Sequence, residues 1–298
     1  MNLSKSVLVL GVIGLLTMPA WADTGLEFPR NDQVADGQTV RFKFTNPHTS
    51  GLPIYGTGGA GVTYIWKVYP RQQTGYYTTM FWSNDDGSGT VAGAFEWVNG
   101  PGGNVNTYYG AHPYPNSGNS TGTTHSWEIS VEQNDYVNGA VMKGQWYTQA
   151  LRVWGASGAA KNHEFYWDLP NTDTSHRVAR IAASSWGNVN PPFPTLTFGD
   201  APWQPGREMC SCILRGIQIY NTLLSVADIQ SEITSPLSTV AGAASIWYLN
   251  LNPTPDDISD KSGAGHNPSW VGSNRATLYS DGGGDNTPPS APTNLQVQ

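Results

Sequence analysis

Short segments of alternating apolar and polar residues recur along most of this chain, each closed by a loop of Gly, Pro, Asn or Asp. That punctuation limits the folds open to it. Strands of about half a dozen residues fit between such loops, whereas long helices are broken by Gly and Pro. With 34 Gly and 21 Pro among 298 residues, coiled coils, helical bundles and most doubly wound folds are excluded. The alternation predicts strands over 40–45, 62–69, 76–83, 93–98, 107–111, 126–132, 147–154, 164–169, 177–183, 196–199, 213–220 and 245–251. Between them, runs such as Asn84-Asp85-Asp86-Gly87-Ser88-Gly89 are turns. The fold class is all-β, a two-sheet antiparallel β-sandwich of the jelly-roll kind. One short helix is predicted near residues 225–233, where Ser225 and Asp228 form a capping box and Ile229 and Ile233 share a face.

The 12 Trp, 14 Tyr and 8 Phe supply a core and argue against disorder. The net charge is −7, and −8 once a leader carrying Lys5 is removed, with no basic run anywhere. Nucleic acid and anionic membrane are therefore poor partners. That leader is read from Lys5, the apolar residues 6–18 and the small-x-small site Ala20-Trp21-Ala22. Residues 1–22 are thus a signal peptide cleaved near Ala22. The mature chain is expected to be secreted (extracellular, periplasmic or at the cell surface) and not inserted in a membrane, since the apolar run is too short to span one. Cys210 and Cys212 form a C-x-C. Strand positions two apart stand about 6.5–7 Å from each other, the outer limit for a disulfide, so a bridge requires the backbone to turn between them. The spacing leaves it open whether they are bridged.

The run Leu214-Arg-Gly-Ile217-Gln-Ile219-Tyr220-Asn221-Thr-Leu-Leu-Ser225-Val-Ala-Asp228-Ile229 resembles the closing signature of laminin-G-like, concanavalin A-type domains, a strand with an I-x-I-Y-N core leading into a short helix. The segment Asp260-Lys-Ser-Gly-Ala-Gly-His266-Asn-Pro resembles the D-x-S-G-x-G-N-H run that usually opens such domains. Here it follows the closing signature, so either the order is permuted, with a late strand pairing at a sheet edge, or a second unit is vestigial. The sandwich is assigned residues 23–281. Residues 282–298 form a Pro/Gly-rich linker whose end resembles the start of a fibronectin type III domain, implying tethering to further C-terminal domains in a longer, bacterial-type modular protein. The resemblance implies a ligand on the concave face. It does not choose between lectin, binding module, hydrolase and lyase.

A sugar site needs aromatic platforms for apolar ring faces and hydrogen-bonding groups for polar edges. Tyr64 and Trp66 share a face, as do Trp146, Thr148, Arg152 and Trp154. Most period-2 aromatics are core. Tyr108, Tyr109, His112 and Tyr114 lie in a Gly/Pro-rich run and are better candidates for a binding surface, joined by Gln149, Arg152, Glu164 and Tyr166, with Asp168 on the face of the last two. Two catalytic alternatives accompany the binding reading. Glu128 and Glu132, in Trp127-Glu128-Ile129-Ser130-Val131-Glu132, resemble the E-x-D-x-E strand of laminarinase-type retaining glycoside hydrolases, which implies a nucleophile and an acid/base. Ser130 replaces the central Asp, and the carboxyls would have to approach to about 5–5.5 Å. A polysaccharide lyase would instead use Tyr109 or His112 as proton acceptor and Arg152 to neutralise a uronate.

Calcium, common in this superfold, suits the oxygen-rich Asp85 and Asp86 loop or Asp257 and Asp260. Nucleotide and redox cofactor motifs are absent. The leading expectation is carbohydrate recognition: a secreted module binding a polysaccharide. Cleavage of a polysaccharide and an adhesive or structural surface role are the alternatives.

Overall fold

The structure, a computed structural model, describes residues 24–30, 33–35, 37–45, 61–70, 77–83, 93–99, 107–112, 129–131, 146–154, 162–172, 177–181, 195–200, 205–207, 209–239, 245–249 and 252–280. They form two antiparallel sheets. Sheet A runs, in spatial order, β10 (Arg177–Ile181), β9 (Asn162–Leu169), β8 (Tyr147–Trp154), β3 (Val62–Pro70), β12 (Cys212–Tyr220), β1 (Thr24–Glu27) and β15 (Thr277–Ser280), with β13 (Ser245–Tyr248) also paired to β12. Sheet B runs β14 (Ser269–Trp270), β2 (Phe42–Thr45), β11 (Thr195–Phe198), β4 (Tyr77–Ser83), β5 (Gly93–Asn99), β6 (Thr107–His112) and β7 (Ile129–Val131). The single described helix, α1, spans Val226–Thr234. The all-β sandwich expected from the alternation is the fold observed.

Alternation decides which side chains enter the core. In β3, Tyr64, Trp66 and Val68 point to one face of sheet A, and register sets them against Leu151, Gln149 and Tyr147 of β8 or Ile219, Ile217 and Leu214 of β12, all buried. Leu26 of β1 continues this face across from Leu214, and Phe28 two residues on reaches sheet B. There its ring meets Phe198 edge-on at 5.1 Å and Phe42 at 6.2 Å, while Phe42 and Phe198 stack at 5.6 Å and Trp270 closes on Phe42 at 5.5 Å. Gly199 is required beside this cluster. Its φ is +114°, and a Cβ there would run into the Phe28 ring.

The opposite face of sheet A is covered in its middle by α1. Ile229 packs, with the half-buried Val226 and Ile233, over Ile65, Ala150, Tyr166 and Tyr220. β12 is thus covered by sheet B on one side and by the helix on the other, so Cys-Ile-Leu-Arg-Gly-Ile-Gln-Ile-Tyr reads as a nearly continuous buried run. The predicted capping box is present, with the Asp228 amide donating to Ser225 Oγ at 3.1 Å and the Ser225 amide to Asp228 Oδ2 at 3.2 Å. The late segment joins the same two sheets: β14 pairs with β2 and β15 with β1. Cys210 and Cys212 are bridged. The backbone turns at Ser211, whose φ is +47°, and this brings the two Cα atoms to 5.2 Å.

On the buried stripe of α1, three residues beyond Ile229, stands Glu232, fully enclosed. Its carboxylate accepts from the Tyr220 hydroxyl and from the Leu237 and Thr239 amides, each at 2.6 Å, and from Thr239 Oγ1. It ties the chain leaving the helix to the central strand. Glu232→Ala leaves those buried donors without their acceptor, and a urea unfolding series should show a loss of about 2–3 kcal/mol. A loss under about 0.5 kcal/mol, the scale of ordinary surface substitutions, would mean the network does not hold the helix end.

Candidate functional site

β8 presents Trp146, Thr148, Ala150, Arg152 and Trp154 on the helix-bearing face, all but Ala150 half-buried, while Tyr147, Gln149 and Leu151 point to the sandwich interior. α1 covers Ala150 and, among the described residues, divides this face into two partly exposed ends. At one end the Lys67 ammonium lies 5.5 Å from the Trp146 ring centroid, with Tyr279 6.4 Å beyond the indole. Between that pair and the helix lies a shallow cleft lined by Ile65, Trp66, Lys67, Thr148, Gly216, Gln218 and Ile233.

The other end holds the charged assembly. Register places Arg152 opposite Glu164 of β9, and both Ala150 of β8 and Arg177 of β10 opposite Tyr166. Arg152 Nη1 donates to Glu164 Oε2, and Arg177 Nη1 donates to Glu164 Oε1 at 3.0 Å. One carboxylate therefore bridges two guanidinium groups across three strands. Exposure grades outward, with side chains 9% accessible at Glu164, 16% at Arg152 and 34% at Arg177. The Arg152 guanidinium also lies 5.3 Å from the Trp154 ring centroid, so an indole supports it while the carboxylate orients it. Tyr166 is buried beneath this group. Burial, and then the neighbouring Glu164 carboxylate, push its hydroxyl above the ordinary tyrosine value of 10.0, with Arg177 and Arg152 pulling the other way.

Of the residues singled out from sequence, Arg152, Glu164 and Tyr166 are brought together. Gln149 is enclosed on the opposite face, where its Oε1 accepts from the Trp66 indole at 2.7 Å and the Trp66 ring stacks on Phe165. Tyr108, Tyr109 and His112 lie on β6 in sheet B, paired with Val98, Trp97 and Ala94 of β5. Arg152 points away from sheet B, so Tyr109, His112 and Arg152 do not form one site. Nor does Asp168 continue the face of Glu164 and Tyr166. A bulge opposite Thr148 and Ala150 shifts the alternation, and Leu169 joins the helix-side cluster instead. Glu128, Glu132, Tyr114, Asp85 and Asp86 lie outside the described residues, as do residues 1–22, expected as a leader, and residues 282–298. The Arg–Glu–Arg assembly stands on the outer, helix-bearing face of sheet A.

Asp257 and Asp260 are both engaged by the protein itself. Asp257 receives Lys261 Nζ at 2.8 and 2.9 Å and Ser259 Oγ at 2.5 Å, contacts that push its carboxyl down to about 2. Asp260 accepts the Ser262 and His266 amides at 2.8 Å each, which folds the Asp260-Lys-Ser-Gly-Ala-Gly-His266 loop around it. Among the described residues no three His, Cys, Asp or Glu side chains converge as a metal site.

Sequence reasoning missed Arg177. The available signal was a scarce cation opening an alternating strand directly after one that carries an acid; its partner in register was not readable.

No family model and no curated protein matches this chain. Among solved structures it is similar to a putative carbohydrate binding protein from Bacteroides ovatus at 12% identity, covering 82% of this chain and 60% of that one with a TM-score of 0.42. A SAP-like pentraxin from Limulus polyphemus is 12% identical, with 70% of this chain and 81% of that one covered and a TM-score of 0.40. Tailspike protein 2 of an Escherichia coli O157:H7 bacteriophage is 13% identical at a TM-score of 0.42, and its alignment covers 83% of this chain but 31% of the tailspike. The likenesses concern the fold, and the chemistry rests on the residues described above.

The Tyr166 environment has a pH consequence. A hydroxyl whose folded pKa is raised stabilises the fold fully below its unfolded value, near 10, and that stability is lost as pH rises through the folded pKa. Stability measured by denaturant titration should fall above about pH 10 in the wild type and fall less steeply in Tyr166→Phe. Identical slopes would show that this phenol is not held protonated.

Proposed function

We propose that the protein is an exported carbohydrate-recognition module that binds a polysaccharide on the helix-bearing face of sheet A. The observation that carries the reading is the Trp154–Arg152–Glu164–Arg177 assembly. Sugar rings need a flat apolar surface beside a fixed fan of hydrogen-bonding groups. Here one shared carboxylate holds two guanidinium groups, and an indole lies against one of them. Trp146 with Lys67 repeats the aromatic–cation pairing at the other end of the same strand.

Within this assembly the geometry supports recognition in preference to cleavage. Glu164, the carboxylate in the assembly, is engaged by both arginines, and Tyr166 is buried below them, so neither is placed to exchange a proton with a ligand.

Affinity electrophoresis of the chain from Asp23 onward, through gels containing polygalacturonate, alginate, xylan or mixed-linkage β-glucan, tests this, with calcium and chelator run in parallel. At least one polymer should retard the wild type. Trp154→Ala should weaken that retardation tenfold or more while leaving the unfolding midpoint within the range of a surface change. No reducing ends should appear. Full retardation of the Trp154→Ala variant would place the site elsewhere, and sustained release of reducing ends would make the protein an enzyme.

A further inference from the structure

Resting on that reading, we infer that the glycan is a uronate-bearing one, and that Arg177, carried into the site by β10, receives its carboxylate. The arrangement has more donors than its own acceptor can use. Two guanidinium groups carry five N–H donors each, while Glu164 offers two oxygens and takes one N–H from each arginine. The assembly has a net positive charge in a chain whose total is −7.

Arg152 is the more enclosed member, lying against Trp154 and paired with Glu164. Arg177 is the outward one. Its side chain is a third exposed on β10, an edge strand of sheet A among the described residues, and Glu164 takes one of its Nη1 hydrogens. A guanidinium held at one corner by a carboxylate still presents a planar fork, the shape that pairs with a second carboxylate through two parallel bonds. As a purely structural device the triad would be inefficient, because partly desolvated ion pairs return little net stability. Its usefulness lies in orientation, with Glu164 and Trp154 holding the donors ready for an acceptor from outside. The surrounding negative charge disfavours long-range capture of an acidic polymer, so the selectivity must come from this short-range pairing, and it should be confined to one carboxylate per site.

The test compares polymers that differ in the carboxylate alone. Retardation by polygalacturonate and by alginate is measured against their fully esterified forms, with neutral galactan and dextran sulfate beside them, for wild type, Arg177→Gln and Arg177→Lys. The inference predicts at least tenfold tighter binding to one acid polymer than to its ester. That preference should be lost in Arg177→Gln and only partly kept in Arg177→Lys, which retains the charge without the planar fork. Unfolding midpoints of all three proteins establish that the variants remain folded; should Arg177→Gln be unstable, Arg177→Lys alone carries the comparison. Equal binding to acid and ester, or binding to galactan alone, would overturn the uronate inference and leave carbohydrate recognition standing. Dextran sulfate binding as tight as the acid polymer would overturn it in favour of simple charge attraction. Retardation by none of these polymers would overturn both readings.

Discussion

The double burial of β12 is the constraint on which the rest of the structure depends. A strand covered on one side by a second sheet and on the other by a helix must be apolar along nearly its whole length, and any polar atom in it must find a partner. Gln218 and Tyr220 meet that demand through α1, the amide donating to the Glu232 carbonyl at 3.1 Å and the phenol to the Glu232 carboxylate. The helix is therefore docked by polar bonds as well as by Ile229. Thr63, across from Tyr220 on β3, binds the connecting loop in the same way: its hydroxyl donates to the Thr222 carbonyl and accepts from the Leu224 amide. With helix and loop fixed, the outer face of sheet A is covered at its centre and, among the described residues, partly exposed at both ends.

That division gives the candidate site its character. On an uncovered sheet face, Arg152 and Glu164 would be an exposed cross-strand pair of the kind that contributes under about 1 kcal/mol. Beside the helix-covered cluster they are partly withdrawn from water, above Tyr166, with Arg177 closing the other side. Partial withdrawal strengthens and orients their bonds while leaving the outer guanidinium within reach of a ligand. The fold thus turns an ordinary charged face into a rigid array of donors.

Much of this was legible from sequence because the governing periodicities are local. Period-2 alternation located β3, β8 and β9, and the capping box located α1. Parity also carried information about Gln149. If Thr148 and Arg152 share a face, Gln149 lies on the other one, and it is indeed bonded to Trp66 in the core. What could not be read depends on long-range pairing. β1 and the two-residue β14 are too short to signal themselves and exist because β12 and β2 offer partners. Arg177 reaches Glu164 only through the β9–β10 register, and the bulge that turns Leu169, instead of Asp168, toward the helix leaves no mark in composition. Glu232 was more accessible: an acid three residues after Ile229 on a buried helical stripe has to find donors.

Hydrogen–deuterium exchange of the chain from Asp23 onward, with and without a polymer that retards it, tests most directly whether the helix-bearing face of sheet A is the ligand surface. Binding there should slow exchange in peptides covering 146–154, 162–169 and 177–181 and leave 107–112 of β6 unchanged. Slowed exchange confined to β6 and its neighbours in sheet B would contradict it.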